Sequence, residues 1–259
     1  MPRYKLTIEF AGTKYSGWQI QRNARTVQGE LQAALIKAAG GRVETYGSGR
    51  TDAGVHALAQ IAHADLQKPL PTDTLVARVN DALPADINVL EAERVAPRFH
   101  ARHSAVARSY VYQIARRRTA FAKPYVWWIR EPLDLAAMES AAHALVGFAD
   151  FRAFTDDDPD EKSTRVLVDR LQMAVVDRLI LIRVVGSHFL WKMVRRMVGV
   201  LAAVGRGEID GSDVPALFSQ SSETPARLTA PASGLFLERV FYEPPPAEWP
   251  LDPPLLRLR

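Results

Sequence analysis

Alternating apolar and polar positions predict that the chain is rich in β-strands. From Arg3 to Phe10 every second side chain is apolar, which is typical of a strand with one buried face. Turn-forming residues interrupt the pattern, and the pair Asp177-Arg178 marks a turn between two long strands. The same reasoning predicts strands at 42–46, 56–65, 87–95, 109–115, 165–176, 179–185 and 235–242.

Apolar residues spaced three and four apart predict helices between these strands. Thr26 can cap a helix that runs to Ala39, where Gly40-Gly41 ends it. Gly205 ends the last helix in the same way. The other helices are predicted from Asp73 to Leu83, from Asp134 to Val146 and from His188 to Val204.

Both halves of the chain mix strands with helices, which indicates the α+β fold class. We expect an N-terminal subdomain at 1–104 and a C-terminal subdomain at 105–243. The remaining tail, 244–259, is rich in proline, so neither helix nor sheet is expected there.

Composition narrows the class of protein. Hydrophobic residues make up 47% of the 259 residues, enough for a sizeable core. The absence of cysteine excludes disulfides, thiolate zinc sites and iron–sulfur clusters, and it suits a reducing compartment. The N-terminus lacks the apolar core of a signal peptide, and Arg183 interrupts the apolar run from Leu179 to Val185. We therefore expect a soluble cytoplasmic protein with no membrane partner.

The distribution of charge is more informative than its total. The net charge is only +4, but seven lysines stand against 26 arginines. Arginine forks match phosphate geometry and also stack on bases. Charge alone leaves two interpretations open, namely nucleic-acid binding or an arginine-rich solvated surface. The clearest cluster comprises Arg94, Arg98, Arg102, Arg108 and Arg116 to Arg118.

The stretch from Gly47 to Gly54 is the most unusual segment. Its three glycines surround Arg50, Thr51 and Asp52, and glycine lets a backbone bend sharply and approach a ligand. The spacing is neither that of a phosphate-binding P-loop nor that of the dinucleotide fingerprint. Taken alone, it is equally typical of a structural turn with a solvated aspartate.

The nine residues Gly-Arg-Thr-Asp-Ala-Gly-Val-His-Ala, from Gly49 to Ala57, resemble the catalytic-aspartate motif of the A-type tRNA pseudouridine synthases. The match is specific because it is long and uninterrupted. Further resemblances follow in the family's order and extend from about Tyr4 to Tyr242. They are Gly12-Thr13 with Gly17-Trp18-Gln19, Arg25 to Leu31, Phe99 to Arg102 with Arg108 to Tyr112, Phe189-Leu190 with Met193 to Arg195 and Val198-Gly199, and Ala230 to Ala232 with Gly234-Leu235.

The resemblance implies a role for five residues. Asp52 matches the family's nucleophile, and Arg195 matches the arginine that pairs with this carboxylate. Tyr110 matches the aromatic residue that stacks on the target base. Arg50 matches a residue that helps to flip the nucleotide and fills its place, and Leu235 matches an apolar residue of the base pocket.

The resemblance also implies a substrate and a fold. The family acts without cofactor or metal on uridines 38, 39 and 40 of the tRNA anticodon stem-loop, as a homodimer in which one tRNA spans both subunits. Its fold has two similar subdomains of antiparallel sheet, with helices on one side and the sheets joined across a basic cleft. The RNA contacts implied are Arg98, Phe99, His100, Ala101, Arg102, His103 and Arg108, with Lys162, Ser163 and Arg165 as a second region.

These roles fit the chemistry of the reaction. The enzyme must break a C–N glycosidic bond, rotate the uracil and form a C–C bond, and a carboxylate can attack and later leave. Attack at the base or at the sugar remains open. A base inside a stem must first be extruded, at a cost of a few kcal/mol. Stacking on Tyr110 would return about 1–3 kcal/mol.

Two other functions compete with this one. A non-catalytic RNA-binding module would show a damaged Asp–Arg–Tyr set, whereas Asp52, Tyr110 and Arg195 are all present. An unrelated hydrolase would need a second acid–base group at fixed spacing, and none stands out. The histidines lack metal-ligand spacing, so no metal site is expected.

Two charged segments stay ambiguous at the level of sequence. The stripe that includes Lys192 and Arg196 is typical of a solvated helix face, although either residue could contact phosphate. The acidic run from Asp156 to Asp160 would repel RNA phosphate. It would therefore either point away from bound RNA or stay mobile until Lys162 and Arg165 bind the RNA.

Overall fold

The computed structural model describes residues 1–159, 161, 163–219 and 222–255. Its strands are β1 (Arg3–Phe10), β2 (Glu44–Gly47), β3 (His56–Asp65), β4 (Ile87–Val95), β5 (Ala107–Ala115), β6 (Trp127–Trp128), β7 (Gly147–Asp150), β8 (Arg165–Val176), β9 (Leu179–Gly186) and β10 (Leu235–Phe241). Its α-helices are α1 (Val27–Ala39), α2 (Thr72–Asn80), α3 (Leu135–Ala142), α4 (Met193–Gly205) and α5 (Thr224–Arg227). Short 3-10 turns occur at Gly12–Lys14, Lys123–Tyr125, His143–Leu145, Arg152–Phe154, Gly211–Phe218 and Ala232–Gly234.

The first compact unit comprises Met1–Val106 and Phe236–Pro245. Its sheet has the order β4-β1-β3-β10, and β2 also pairs with β3. The pairings are antiparallel except that of β10 with β3. Every second residue of β1 from Tyr4 to Phe10 is buried, so the alternation in the sequence corresponds to a real buried face. The two helices α1 and α2 contact each other, and α2 also contacts β4.

The second unit comprises Ala107–Leu235 and the described residues from Pro246 onward. Strands β5, β9, β8 and β7 form an antiparallel sheet in that order, and β6 adds a short parallel pairing to β5. All residues of β9 are buried, including Arg183. The guanidinium of Arg183 donates to the carbonyls of Trp249 and Pro250 and lies over the Trp249 ring. The proline-rich tail therefore covers this face of β9, which explains an arginine inside an apolar strand.

The predicted helix caps are confirmed at two places. The hydroxyl of Thr26 accepts a hydrogen bond from Gly29 N at 3.3 Å, and the carboxylate of Asp134 accepts one from Ala137 N at 3.0 Å. For α2 the predicted start at Asp73 and the predicted end at Leu83 were wrong, since the helix begins at Thr72 after Pro71 and ends at Asn80.

The start of α4 shows the largest difference from the predicted helices. It begins at Met193 and not at His188, because Lys192 has a left-handed backbone with φ of 62°. A right-handed helix cannot continue through such a residue. The periodicity of the side chains gave no sign of this local backbone conformation.

The α+β class with mostly antiparallel pairing is confirmed. The sequence did not predict β6 and β7, which are only two and four residues long. Within the described ranges, no helix is long and apolar enough to cross a membrane. The described part of the tail beyond Glu243 contains no helix or strand, as expected from its prolines.

Candidate functional site

Asp52 lies in the loop between β2 and β3, and this loop is anchored to the middle of β3. The backbone N–H of Ser48 donates to Ile61 O at 2.7 Å, and the Ser48 hydroxyl donates to the Gln60 amide oxygen at 2.6 Å. A further turn closes when Val55 N donates to Asp52 O at 3.2 Å. Asp52 itself is half-buried. Its side chain is therefore presented by an ordered loop at a partly exposed position.

The N-terminal Gly-Thr and Gly-Trp motifs pack directly against this loop. Trp18 is buried, and its backbone N–H donates to Thr51 O at 3.1 Å. A Cβ atom added to Gly17 would lie 2.5 Å from the same Thr51 oxygen, and one added to Gly12 would lie 1.9 Å from Val55 O. Side chains are excluded at both glycines because backbone lies in the way. The two motifs, distant in sequence, thus form one structure around Asp52.

Helix α1 completes the support of the loop. The N–H of Gln28 donates to Trp18 O at 3.0 Å, while its side-chain amide donates to Thr45 O on β2 at 2.7 Å. The amide oxygen of Gln28 accepts from Ile20 N at 3.3 Å. Gln28 is buried, so these bonds fix the start of α1 relative to both Trp18 and β2. The motif from Arg25 to Leu31 therefore has a structural role.

In the second unit, Tyr110 is presented by strand β5. It is paired with Val184 on β9, and its half-buried ring packs perpendicular to the Phe189 ring at a centroid distance of 5.2 Å. Two residues earlier, Arg108 donates to Ser187 O at 2.8 Å. The neighbouring Tyr112 is fully buried, and burial raises its pKa well above the usual value.

Arg195 on α4 is fixed by a reciprocal pair of bonds to the segment before β10. Its Nε donates to Ala230 O at 2.7 Å, and Ala230 N donates to Arg195 O at 3.1 Å. A Cβ on Gly199 would lie 1.7 Å from Leu228 O, so glycine is required for this close approach of α4. Leu235 follows at the start of β10 and is buried. The direction of the Arg195 side chain is therefore set by the last motif of the sequence.

The expectation that Arg196 contacts phosphate or faces water was wrong. Its guanidinium is buried and donates to Thr155 O at 2.7 Å and to the Asp156 carboxylate. Lys192 donates to the same carboxylate at 2.6 Å. Burial acts to raise the pKa of Asp156, but the bond from Lys192 and the charge of Arg196 together lower it below its usual value. The acidic run thus begins with a residue that pairs with cations of this chain.

The residues from Arg98 to His103 form a compact turn in the first unit. Ala101 at its centre is fully buried, its carbonyl accepts from the Tyr242 hydroxyl at 2.7 Å, and its N–H donates to His63 Nδ1 at 3.1 Å. The Phe99 ring packs on Tyr242 at 4.9 Å. Of the other predicted RNA contacts, Arg98, Arg102, His103, Ser163 and Arg165 are exposed, His100 is half-buried, and Lys162 lies outside the described residues.

Acidification is expected to destabilise this turn through His63. Burial lowers the pKa of His63 to about 4, and the charges of Arg3 and His100 add to this effect. Between pH 6.5 and 4 the unfolded chain then binds more protons than the folded one. The free energy of unfolding therefore has its highest value above pH 6.5. It falls as the pH drops towards 4, by at most about 3 kcal/mol.

Urea unfolding of the wild type and of His63→Asn at a series of pH values tests this prediction. The Asn oxygen can replace Nδ1 as the acceptor for Ala101 N but does not titrate in this range. The variant is expected to show a shallower loss of unfolding free energy. Identical pH dependence in the two proteins would contradict the assignment.

Comparisons with known proteins agree with one another. A family model described as tRNA pseudouridine synthase matches residues 6–104 and 141–243. A protein named tRNA pseudouridine synthase A from Afipia carboxidovorans is 43% identical over 93% of this chain and its own full length. Proteins of the same name from Rhodopseudomonas palustris and Maridesulfovibrio salexigens are 43% and 37% identical, over 94% and 93% of this chain and 100% and 91% of their own lengths.

Proposed function

Because this chain belongs to the tRNA pseudouridine synthase family, we propose that it converts uridine to pseudouridine at positions 38, 39 and 40 of the tRNA anticodon stem-loop. The enzyme class is that of an isomerase, since the reaction rearranges one nucleotide without a net loss or gain of atoms. The observation that supports the proposal is the ordered, half-buried Asp52 on a loop that Gly12 and Gly17 contact through backbone.

Asp52 is proposed to be the covalent catalyst. Its carboxylate attacks the flipped uridine, the N1–C1′ bond breaks, the uracil rotates while it stays enclosed, and the new C5–C1′ bond forms before the carboxylate leaves. Loss of the proton from C5 and protonation of N1 complete the isomerisation without a net change in atoms. Arg195 is proposed to stabilise the ionised carboxylate, since a nearby guanidinium favours the charged form. The bond from Arg195 Nε to Ala230 O supports this role because it fixes the orientation of the guanidinium.

Tyr110 is proposed to stack on the target base after flipping. Its ring is half-buried and supported edge-on by Phe189, so little side-chain freedom is lost when a base stacks on it. Leu235 is proposed to line the apolar part of the same pocket. The basic cleft, the cytoplasmic homodimer and the RNA contacts at Arg98 to His103, Arg108, Lys162, Ser163 and Arg165 belong to this proposal as well.

A non-catalytic RNA-binding module is the weaker alternative. The named relatives are synthases, and Asp52, Tyr110 and Arg195 are all retained. A module without catalysis would have no use for an acid presented by such a closely packed loop.

Mapping of the product tests the proposed positions. Purified protein is incubated with unmodified tRNA transcripts that carry uridine at 38, 39 or 40, and pseudouridine is located by chemical labelling and primer extension. Transcripts with cytidine at these three positions serve as the control. Product confined to 38, 39 and 40 is expected, whereas product at other uridines or none at all would refute the assignment of the substrate.

Arg50→Ala is expected to reduce turnover far more than it weakens tRNA binding. Arg50 is exposed in the same loop that presents Asp52, and we propose that it fills the space left by the flipped nucleotide. Without it the flipped state loses a few kcal/mol, which corresponds to roughly 100-fold in kcat. Single-turnover rates and binding titrations measure the two effects, with exposed Arg78→Ala on α2 as a charge-matched control. Equal losses of rate and affinity would exclude this role.

A further inference from the structure

Phe121 is the most exposed large hydrophobic side chain among the described residues, with 90% of its surface accessible. It belongs to the connection between β5 and β6, here called the Phe121 loop and defined as residues 116–126. An apolar ring this exposed gains nothing from the fold of its own chain. Large exposed apolar groups surrounded by polar residues are typical of binding surfaces.

The exposure of Phe121 is not a sign of a frayed segment. The next residue, Ala122, is only 3% exposed and joins a buried cluster with Val126, Leu179 and Leu181. Backbone bonds close the loop around this anchor, since Ala122 N donates to the Thr119 hydroxyl at 3.2 Å and Tyr125 N donates to Ala122 O at 2.8 Å. The fold thus fixes the backbone on one side of Phe121 while its ring points to solvent.

The surroundings of this ring are strongly basic. Residues 116–130 contain five cationic side chains and no acid. Glu131 follows directly, and the turn residue Asp177 precedes Arg178, whose carbonyl accepts from Arg116 N at 2.8 Å. Arg116 and Arg118 are exposed, and the guanidinium of Arg118 lies 5.9 Å from the centre of the half-exposed Trp128 ring. Cationic side chains interleaved with exposed aromatic rings are the composition of surfaces that bind single-stranded nucleic acid.

We propose that the Phe121 loop is a second RNA-binding surface, on which Phe121 stacks with an unpaired base of the tRNA and Arg116 and Arg118 bind backbone phosphates. This inference rests on the proposed function, because tRNA is the polyanion that the enzyme meets. Arg116 comes directly after the end of β5 and six residues after Tyr110, which corresponds to about 20 Å of extended chain. The surface therefore contacts RNA away from the reacting uridine and contributes to affinity, not to the chemical step.

Phe121→Ala is expected to weaken tRNA binding by about 5- to 100-fold, the range expected for the loss of one stacked base. The KM for tRNA rises accordingly and kcat stays unchanged, because the loop does not touch the reacting atoms. Phe148→Ala is the matched control, since Phe148 is also exposed, at 69%, but has Asp150 and no cationic residue within three positions on either side.

The arginines are tested by the dependence of affinity on salt. The double variant Arg116→Gln/Arg118→Gln is expected to lower the slope of log affinity against log salt by about 1.5, that is, by close to one unit per lost phosphate contact. Lys37→Gln/Arg78→Gln, which removes two exposed cations from α1 and α2, is expected to leave the slope nearly unchanged. Thermal unfolding confirms that all variants are folded.

Several results would overturn the inference. The first is a tRNA affinity of Phe121→Ala equal to that of Phe148→Ala. The second is a fall in kcat of Phe121→Ala without a change in KM. The third is a change in the molecular mass of Phe121→Ala in light scattering, which would mark the loop as a contact between copies of the chain. Binding of wild type to phosphatidylserine vesicles that Phe121→Ala abolishes, with tRNA binding intact, would assign the loop to a membrane. If the wild type makes no pseudouridine, the proposed function fails separately, and the binding comparison still decides the role of the loop.

Discussion

Asp52→Asn is expected to abolish pseudouridine formation, with a loss of at least about 10⁴-fold in turnover, while tRNA binding remains. Asparagine has nearly the same size as aspartate but cannot attack carbon as a carboxylate does. Removing a covalent nucleophile leaves only the catalysis that comes from binding and positioning. The loop is held through the backbone of Ser48, Thr51 and Val55, so a change of one side-chain atom should leave its path intact.

Single-turnover assays with enzyme in excess measure this loss, because they detect even one slow event per tRNA. Asp73→Asn is the control, since Asp73 is an exposed acid on α2 of the same unit and its replacement makes the same change in net charge. The control is expected to react at the wild-type rate. A rate for Asp52→Asn within a factor of 100 of wild type would show that another group forms the covalent bond or that none is needed.

The elements of the fold that the sequence predicted well are those whose pattern is local. The strand β1 alternates because one face is buried, and α1 begins where the Thr26 hydroxyl can accept from Gly29 N. The start of α4 was predicted five residues too early because the left-handed backbone of Lys192 has no signal in the pattern of apolar residues. The strands β6 and β7 are too short to show a period, so only pairing with β5 and β8 defines them.

In the candidate site, too, local motifs could be predicted from the sequence, whereas contacts between distant segments could not. The motif residues Asp52, Tyr110 and Arg195 could be named from resemblance, but their supports could not. That Trp18 lies against the Asp52 loop, or that Arg195 bonds to Ala230, depends on contacts between segments far apart in the chain. Arg196 was misjudged for the same reason, because its acceptors Thr155 and Asp156 come from a distant loop.

Gly17→Ala is expected to reduce both stability and activity strongly, because it pushes on the backbone of the loop that presents Asp52. Gly17 has a φ of +88°, which costs an L-residue about 1–2 kcal/mol. In addition, the new methyl group would lie 2.5 Å from Thr51 O and 3.2 Å from the carbonyl carbon of Asp52. Overpacking of this kind costs about 1–3 kcal/mol more, since neither atom belongs to a flexible side chain.

Gly40→Ala separates the cost of the positive φ from the cost of overpacking. Gly40 has a similar φ of +71° at the end of α1, but an added Cβ would meet no atom within 4 Å. This variant should lose only the conformational cost, and its kcat should equal that of the wild type. Urea unfolding gives the difference in stability, and kcat at saturating tRNA is compared for the folded protein.

A shift of about 1 Å in a reacting group can cost about 100-fold in rate, so Gly17→Ala should lose roughly that factor in kcat. If the two glycine variants lose equal stability and Gly17→Ala keeps its kcat, the contact with Thr51 does not position Asp52. The expected result would instead explain physically why a glycine 35 residues before Asp52 belongs to the same motif set: its missing side chain leaves room for the backbone that presents the Asp52 carboxylate.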